Sequence, residues 1–187
     1  MGYVYLYTGT GGGKTTNALG LALRSVGHRH KVVIIQFLKF WKNIGEYKIL
    51  KKLRPCYEIH QFGRPGWFKL NNKKIRTYKF GNKKFSVKSL EELDKELAKE
   101  ALLFAKRIVM KKRPNLLILD EINLVLYWKL LDVNEVIDFL NKTPKKTDVV
   151  LTGRYAKKEL IERADFVNEV VDKKHPKKIP MTKGIQY

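Results

Sequence analysis

The sequence predicts an α/β protein with a mainly parallel sheet covered by helices. Short apolar runs rich in β-branched residues alternate along the chain with longer segments that carry apolar residues at helical spacing. One run, Val32-Val33-Ile34-Ile35-Gln36-Phe37, lacks polar alternation, as expected of a strand with both faces covered. Strands separated by helices need crossover connections, and such connections make neighbouring strands parallel.

The length and composition bound the type of protein. A chain of 187 residues can bury a full core around one sheet, so we predict a single domain over residues 1–187. The sequence has no uncharged apolar run of about 18 residues and no basic segment followed by a cleavage site, so we expect neither a membrane span nor a signal peptide. Cys56 is the only cysteine, which excludes an intrachain disulfide and fits a cytoplasmic location.

The chain is strongly basic. It has 39 Lys and Arg against 18 Asp and Glu, a formal net charge of +21. Between Lys39 and Lys84 there are 14 basic and 2 acidic residues, so +12 of the total lies in this segment. Such a segment suits an anionic partner, namely nucleic acid, a nucleotide or an acidic electron-donor protein. The alternative is a solvated lysine-rich surface that reflects genome or temperature bias.

A glycine-rich loop follows the first apolar run. The loop is Thr8-Gly9-Thr10-Gly11-Gly12-Gly13-Lys14-Thr15-Thr16, and residues 15–26 after it have helical spacing. Glycines let several backbone N–H groups turn toward one phosphate, and the helix N-terminus adds partial positive charge. We therefore expect Lys14 to meet phosphates and Thr15 to meet magnesium. Thr8 stands where the strict motif has glycine, and a plain glycine-rich turn is the alternative interpretation.

The middle of the chain has weaker signals. Gly27 is predicted to end the first helix, and residues 39–54 contain a short helix. Tyr57 to Phe62 alternates like a half-buried strand. Residues 63–86 mix chain breakers with aromatic residues, and we predict an irregular substrate loop there, because long aromatic loops are often binding loops or lids. The alternative is that these rings cover a satellite core.

A second polar site follows a later strand. Ser89-Leu90-Glu91-Glu92 has the pattern of a capping box and should open a long amphipathic helix that Arg113-Pro114-Asn115 ends. Leu116 to Leu119 is then a buried strand that runs into Asp120-Glu121. A carboxylate at such a strand end is where a phosphate-loop fold holds the magnesium shell, and Glu121 beside it can hold metal, water or a substrate hydroxyl.

The last third of the chain adds an arginine to the same edge. A helix over residues 134–140 should be capped by Asp132, and the strand over residues 148–152 ends in Thr152-Gly153-Arg154. Arg154 is a candidate phosphate or substrate clamp, the alternative being a surface arginine at a helix start. A short helix over residues 157–163, a last strand over residues 166–171 and an irregular basic tail over residues 173–187 complete the prediction.

In this order the motifs resemble the ATP:corrinoid adenosyltransferases of the P-loop type, which have a RecA-like fold. The resemblance covers nearly the whole chain, although only the glycine-rich loop is specific by itself. The matching residues are Tyr7 to Thr16, Leu119-Asp120-Glu121, Leu151-Thr152-Gly153-Arg154, Ala164-Asp165, Lys174-His175 and Gly184-Ile185-Gln186-Tyr187.

The resemblance implies a cytoplasmic transferase of cobalamin biosynthesis. In that reaction a cobalt(I) corrinoid attacks the 5′ carbon of ATP and expels triphosphate, so the nucleophile belongs to the corrinoid. The resemblance implies that residues Thr8 to Thr16 bind ATP and that Trp67 and Phe68 contact the corrinoid. It also implies catalytic roles for a set of four residues: Lys14, Asp120, Glu121 and Arg154. It further implies that Mg²⁺ is held by Thr15, Asp120 and Glu121.

The sequence departs from the family pattern at two places. Gly12 stands where the family usually has a lysine, which removes one expected phosphate contact, and residues 176–183 match the family's tail poorly. Two other function classes stay open. A RecA-like ATPase or small-molecule kinase would share both phosphate motifs, and a nucleic-acid-binding P-loop protein would explain the charge. The preferred corrinoid, the source of the electron and the formation of a homodimer are left open.

Overall fold

A computed structural model of the chain describes residues 2–69, 76–80, 83–176 and 182–185. Its elements alternate along most of the chain as predicted. The strands are β1 (Val4–Thr8), β2 (Val32–Phe37), β3 (Tyr57–Phe62), β4 (Trp67–Lys69), β5 (Arg76–Phe80), β6 (Lys83–Ser89), β7 (Leu116–Asp120), β8 (Asp148–Thr152) and β9 (Phe166–Glu169). The helices are α1 (Lys14–Gly27), α2 (Gly45–Lys48), α3 (Leu50–Leu53), α4 (Glu92–Lys111), α5 (Ile122–Tyr127), α6 (Val133–Lys142) and α7 (Lys158–Arg163).

The main sheet has six strands in the order β3-β2-β7-β8-β1-β9, and every pairing between them is parallel. Strand order departs from chain order because the connections cross over the sheet through helices. The predicted α/β class and the mainly parallel sheet are confirmed, and the architecture is that of a RecA-like P-loop fold. Parallel strands bring their carboxyl ends to one edge, which gathers the loops after β1, β2, β7 and β8.

Both faces of this sheet are buried, and β2 shows how. Val33, Ile35 and Phe37 pack into a core with α4, α5 and α6, whereas Val32 and Ile34 pack with α1 on the other face. The side-chain period of two along a strand divides these residues between the two faces. Each fully buried aliphatic side chain stabilises the fold by about 1.5–3 kcal/mol relative to exposure. The run lacks polar alternation because both faces of the strand are covered, as predicted.

At one edge of the sheet, β9 is exposed along all four of its residues. It nevertheless pairs with β1 from Tyr5↔Phe166 to Thr8↔Glu169, and the rings of Tyr5 and Phe166 stack with their centroids 4.7 Å apart. Since β8 pairs with the other side of β1, the strand that leads into the glycine-rich loop is held from both sides.

A second sheet corrects the prediction of an irregular loop over residues 63–86. In it β6 pairs in parallel with β4 and antiparallel with β5. The sequence does alternate within β5 and β6, but the runs are short and stand between breakers such as Asn71-Asn72 and Gly81-Asn82. Strands of this kind are selected by pairing with one another, which local pattern does not report. Residues 70–75 and 81–82 lie outside the described residues.

Three further boundaries differ from prediction. The capping box of α4 is formed by Glu91 and Asp94, because Ser89 is still part of β6. The left-handed residue after α1 is Arg29, with φ of 60°, whereas Gly27 is the last helical residue. Helix α5 was not predicted, since six mostly apolar residues are too few to reveal a helical period. The Asp132 cap of α6 is confirmed, with the Asn134 N–H donating to its Oδ1 at 2.7 Å.

The last strand, β9, ends at Glu169 and not at residue 171 as predicted, and the other predicted elements follow the sequence closely. The short helix expected in residues 39–54 is present as α2 and α3, and β3, β8 and α7 lie within a residue of their predicted bounds. Tail residues 173–176 and 182–185 belong to no helix or strand, and residues 177–181 and 186–187 lie outside the described residues. Within the described ranges, none of the helices has both the length and the apolar character that a bilayer crossing requires.

Candidate active site

Asp120 is the centre of the candidate site. It ends β7 and is 1% exposed. Its Oδ1 accepts hydrogen bonds from the hydroxyls of Thr15 at 2.8 Å and Thr152 at 2.7 Å. Its Oδ2 accepts from Gln36 Nε2 at 3.0 Å and from Lys39 Nζ at 2.6 Å. Burial alone would raise the pKa of this carboxyl, but Lys39 and the hydroxyl donors outweigh it and hold the pKa below its usual value.

Lys14 lies in a buried position at the start of α1. Gly13 before it has φ of 97°, a left-handed conformation that glycine adopts without strain, and this turn brings the chain from the loop into the helix. The Lys14 amine donates to the carbonyl oxygen of Gly11. Burial lowers its pKa, Arg154 lowers it further, and Glu121 and Asp172 oppose them. A cation held out of water binds phosphate more strongly than a solvated one.

Glu121 follows Asp120 directly and has an unusual backbone. Its φ of 67° is left-handed, which costs a residue other than glycine about 1 kcal/mol or more, and it forms the N-cap of α5. Its N–H donates to Thr152 Oγ1 at 3.0 Å. Burial, followed by the negative charge of Asp120, raises the pKa of the Glu121 carboxyl. The turn thus leaves a second carboxylate near enough to Asp120 for the two charges to interact.

The segment after β9 braces the glycine-rich loop. The Gly11 N–H donates to the Val170 carbonyl at 2.8 Å, and the Gly12 N–H donates to Asp172 Oδ1 at 3.1 Å. A Cβ on Gly9 would lie 2.3 Å from the same Val170 oxygen, so that position admits glycine alone. Two donors of the loop are therefore directed at the chain itself.

Arg154 is exposed on the segment after β8. It lies close enough to Lys14 and Glu121 to act on the charges of both, as the sequence predicted for a residue of this edge. Tyr155, which follows it, has φ of 60°, and its ring centroid lies 4.4 Å from that of Tyr127. The structure thus brings together Lys14, Thr15, Asp120, Glu121 and Arg154.

The two aromatic candidates, Trp67 and Phe68, are adjacent residues of β4 and so belong to the second sheet, not to the main one. The Arg64 guanidinium lies over the Phe68 ring, with its Cζ 5.2 Å from the ring centroid. The side chain of Trp67 lies outside the described residues. Contact of Trp67 and Phe68 with a corrinoid stays a prediction.

Comparison with known proteins agrees with the geometry. The sequence profile of the family described as ATP:corrinoid adenosyltransferase BtuR/CobO/CobP matches residues 1–187. The chain belongs to this family. A Corrinoid adenosyltransferase of Sinorhizobium sp is 34% identical over 177 residues, which cover 94% of this chain and 74% of the relative. That of Escherichia coli K12 is 31% identical over 93% of this chain and 79% of its own length. That of Pseudomonas aeruginosa is 27% identical over 100% and 84%.

The candidate site contains residues that sequence reasoning missed. Gln36 and Lys39 reach Asp120 because β2 lies beside β7. Gln36 is the one polar residue of its strand, which was a usable signal. Asn123 is fully buried and its Nδ2 donates to the carbonyls of Tyr7 at 3.2 Å and Gly153 at 3.0 Å. It joins the end of β1 to the segment that carries Arg154.

The oxygen donors at this edge of the sheet suit a magnesium ion. Mg²⁺ prefers oxygen ligands and is usually held by one or two carboxylates together with substrate phosphates. Thr15, Asp120 and Glu121 offer a hydroxyl and two carboxylates on one side of the loop. Within the described residues there is no cluster of three or more His, Cys, Asp or Glu that could hold a metal.

Proposed function

We propose that the chain transfers the 5′-deoxyadenosyl group of ATP to a cobalt(I) corrinoid at the edge formed by the ends of β1, β7 and β8. Its family performs this transfer, with ATP and a corrinoid as substrates. The observation that supports this location is the convergence of Thr15 and Thr152 on one oxygen of Asp120. Thr15 is next in sequence to the buried Lys14, and Asp120 is next to Glu121, whose charge acts on the Lys14 amine. A strand end, a helix start and a phosphate loop thereby face one small volume.

The role proposed for the protein is to stabilise the leaving group. The electron pair of cobalt(I) forms the bond to the 5′ carbon, and the electrons of the broken carbon–oxygen bond leave with triphosphate. No proton transfer is required, so no side chain has to act as an acid, a base or a nucleophile. Lys14 and Arg154 offset the negative charge that grows on the polyphosphate as that bond breaks. Preorganised charges of this kind act most strongly where burial excludes water.

Thr15, Asp120 and Glu121 would hold Mg²⁺ in this proposal. When bound, the ion adds positive charge at the polyphosphate and orients its oxygens. Asp120 can serve because its pKa is held low, so it is ionised at neutral pH. Thr152 and Gln36 orient its carboxylate by donating to one oxygen each.

The small sheet is the proposed corrinoid cover. Phe68 and the aromatic residues of β5 and β6 lie in one segment of sequence between β3 and α4. Apolar rings over a corrinoid would exclude water and a lower axial ligand of cobalt. Hydrogen exchange should show new protection in peptides of residues 63–89 when MgATP and corrinoid are added together. An unchanged exchange pattern would argue against this cover.

The reaction is tested by its products. With ATP, magnesium and chemically reduced corrinoid under anaerobic conditions, the products should be a light-sensitive adenosylated corrinoid and intact triphosphate. Attack at the 5′ carbon keeps three phosphates together, whereas hydrolysis or phosphoryl transfer yields ADP. ADP as the main product, with no cobalt–carbon bond formed, would favour the ATPase or kinase reading. An acidic electron donor and a homodimer stay predictions.

A further inference from the structure

A lysine contacts two of the three residues expected to hold the metal. The Nζ atom of Lys39 lies 2.6 Å from Asp120 Oδ2 and 3.4 Å from Thr15 Oγ1. The Lys39 side chain is 22% exposed and that of Asp120 is 1% exposed, so the pair is largely removed from solvent. Lys39 lies in the segment after β2, so it comes from a different part of the chain than Thr15 and Asp120.

The surroundings of this amine are mainly acidic. Asp120 is in direct contact, and Glu121 and Glu46 lie near enough to attract its charge. Glu46 is joined to the group through Gln36, whose Nε2 lies 3.4 Å from Glu46 Oε1 and 3.0 Å from Asp120 Oδ2. A buried carboxylate needs a nearby positive charge to remain ionised. Lys39 supplies that charge from within the chain.

A divalent ion on Thr15 and Asp120 would meet this amine at close range. Two cations a few ångström apart repel each other strongly where water is scarce, so both cannot keep the same contact with Asp120. The lysine side chain has a flexible four-carbon stem, and rotation about its bonds lets the ammonium move several ångström without moving the backbone. An incoming triphosphate carries several negative charges, so it offers the displaced amine a new partner.

We propose that Lys39 is an exchangeable counter-ion: it neutralises Asp120 when no nucleotide is bound and moves to the polyphosphate when the magnesium nucleotide binds. This inference rests on the magnesium site of the proposed function. It makes two demands of the protein. Without nucleotide, Lys39 competes with divalent cations for Asp120, so these bind weakly. With nucleotide, Lys39 adds a phosphate contact. A lysine with a purely structural role would meet neither demand.

The test uses Lys39→Met with Lys42→Met as the matched control, since Lys42 is an exposed lysine three residues further on. Binding of Mn²⁺ alone is measured by electron paramagnetic resonance. Lys39→Met should bind Mn²⁺ at least about tenfold more tightly than wild type, because Asp120 loses its competing cation, while Lys42→Met should match wild type. Binding of inorganic triphosphate with Mg²⁺, measured by calorimetry, should weaken about tenfold in Lys39→Met alone.

A second pair of variants guards against loss of folding. Lys39→Gln keeps a donor for Asp120 without the charge and should show the same two changes, whereas Lys39→Arg keeps the charge and should not gain Mn²⁺ affinity. Unchanged Mn²⁺ binding or unchanged triphosphate binding in both Lys39→Met and Lys39→Gln overturns the proposal. Neither measurement contains a corrinoid. A failed adenosyl transfer therefore leaves this result readable, and the reverse also holds.

Discussion

Arg64 holds Asp94 through two parallel hydrogen bonds, Nε to Oδ1 at 2.9 Å and Nη2 to Oδ2 at 2.5 Å. The Asp94 side chain is 0% exposed, and its Oδ2 also accepts the Glu91 N–H in the capping box of α4. One carboxylate thus takes part in the cap of α4 and holds Arg64, three residues before the start of β4. Both hydrogen bonds and burial act on the Arg64 guanidinium, and the bonds to Asp94 raise its pKa.

We predict that Arg64→Met lowers the free energy of unfolding by about 3 kcal/mol, because it leaves the buried Asp94 charge unpaired. Arg64→Lys should fall between Met and wild type, since an ammonium does not reproduce the two-pronged contact. The measurement is urea unfolding. Lys142→Met, which removes an exposed pair with Asp138 at 2.8 Å, should cost under about 0.5 kcal/mol. Equal costs for the Arg64 and Lys142 variants would contradict the prediction.

Lys14→Ala and Asp120→Asn should each reduce kcat for adenosyl transfer by about two to three orders of magnitude. Both side chains are buried and belong to the proposed phosphate and magnesium site, where preorganised charge stabilises the leaving group. Steady-state assays with reduced corrinoid give the rates, and circular dichroism checks that each variant folds. Activity within about threefold of wild type for either variant would remove that residue from the proposed machinery.

Gly11→Ala should destabilise the protein without any ligand, by about 1–3 kcal/mol, whereas Gly12→Ala should change stability by less than about 0.5 kcal/mol. A Cβ on Gly11 would lie 2.8 Å from the Val170 oxygen and 2.9 Å from the Asp172 nitrogen, both backbone atoms. A Cβ on Gly12 would meet no described atom within 4 Å. Thermal unfolding of the two variants compares them directly. A ranking in the opposite order would show that the contact with Val170 does not constrain the loop.

Glu58 predicts a pH dependence of stability. Burial would raise the pKa of its carboxyl, but Lys112, with Nζ at 2.6 and 2.7 Å from its two oxygens, and His60 hold that pKa below its ordinary value. Because the folded-state pKa is depressed, the stabilisation is present above the ordinary value of 4.5 and is lost as pH falls through the folded-state pKa. The partly exposed partners limit it to about 1 kcal/mol.

Glu58→Gln should therefore cost up to about 1 kcal/mol at pH 7 and almost nothing at pH 3. Urea unfolding of wild type and variant at several pH values measures the difference. Added salt should shrink the cost at pH 7, because it screens a pair that solvent reaches. A cost that is the same at pH 7 and pH 3 would mean that Glu58 acts through packing and not through its charge.

The parts of the site carried by local pattern could be predicted from sequence. The glycine-rich loop has its own spacing, and Asp120 ends an apolar run, so a parallel sheet was enough to bring Lys14, Thr15 and Asp120 to one edge. Lys39 was beyond reach because its contact depends on β2 being the neighbour of β7, a fact of strand order. The sequence of residues 36–41 contains no signal that predicts this strand order.

The same distinction explains the fold. β2 was predicted because burial on two faces is written into its composition, and α4 because its 20 residues show several helical periods. The second sheet depends on pairing between β4, β5 and β6, which are short and separated by breakers. The capping box moved from Ser89 to Glu91 for a related reason, since pairing with β4, through Lys69↔Ser89, extends β6 to Ser89.

The glycines of the loop differ in how much space the fold leaves for a Cβ atom. Gly9 and Gly11 are confined by the backbone at Val170, whereas Gly12 and Gly13 have no described atom within 4 Å of a Cβ. The first two would stay under selection in a descendant that had lost nucleotide binding altogether, for as long as it kept β9 beside β1. Gly13 would be retained for another reason, its left-handed φ of 97° at the start of α1, so among these four glycines Gly12 alone is free to record a change of ligand.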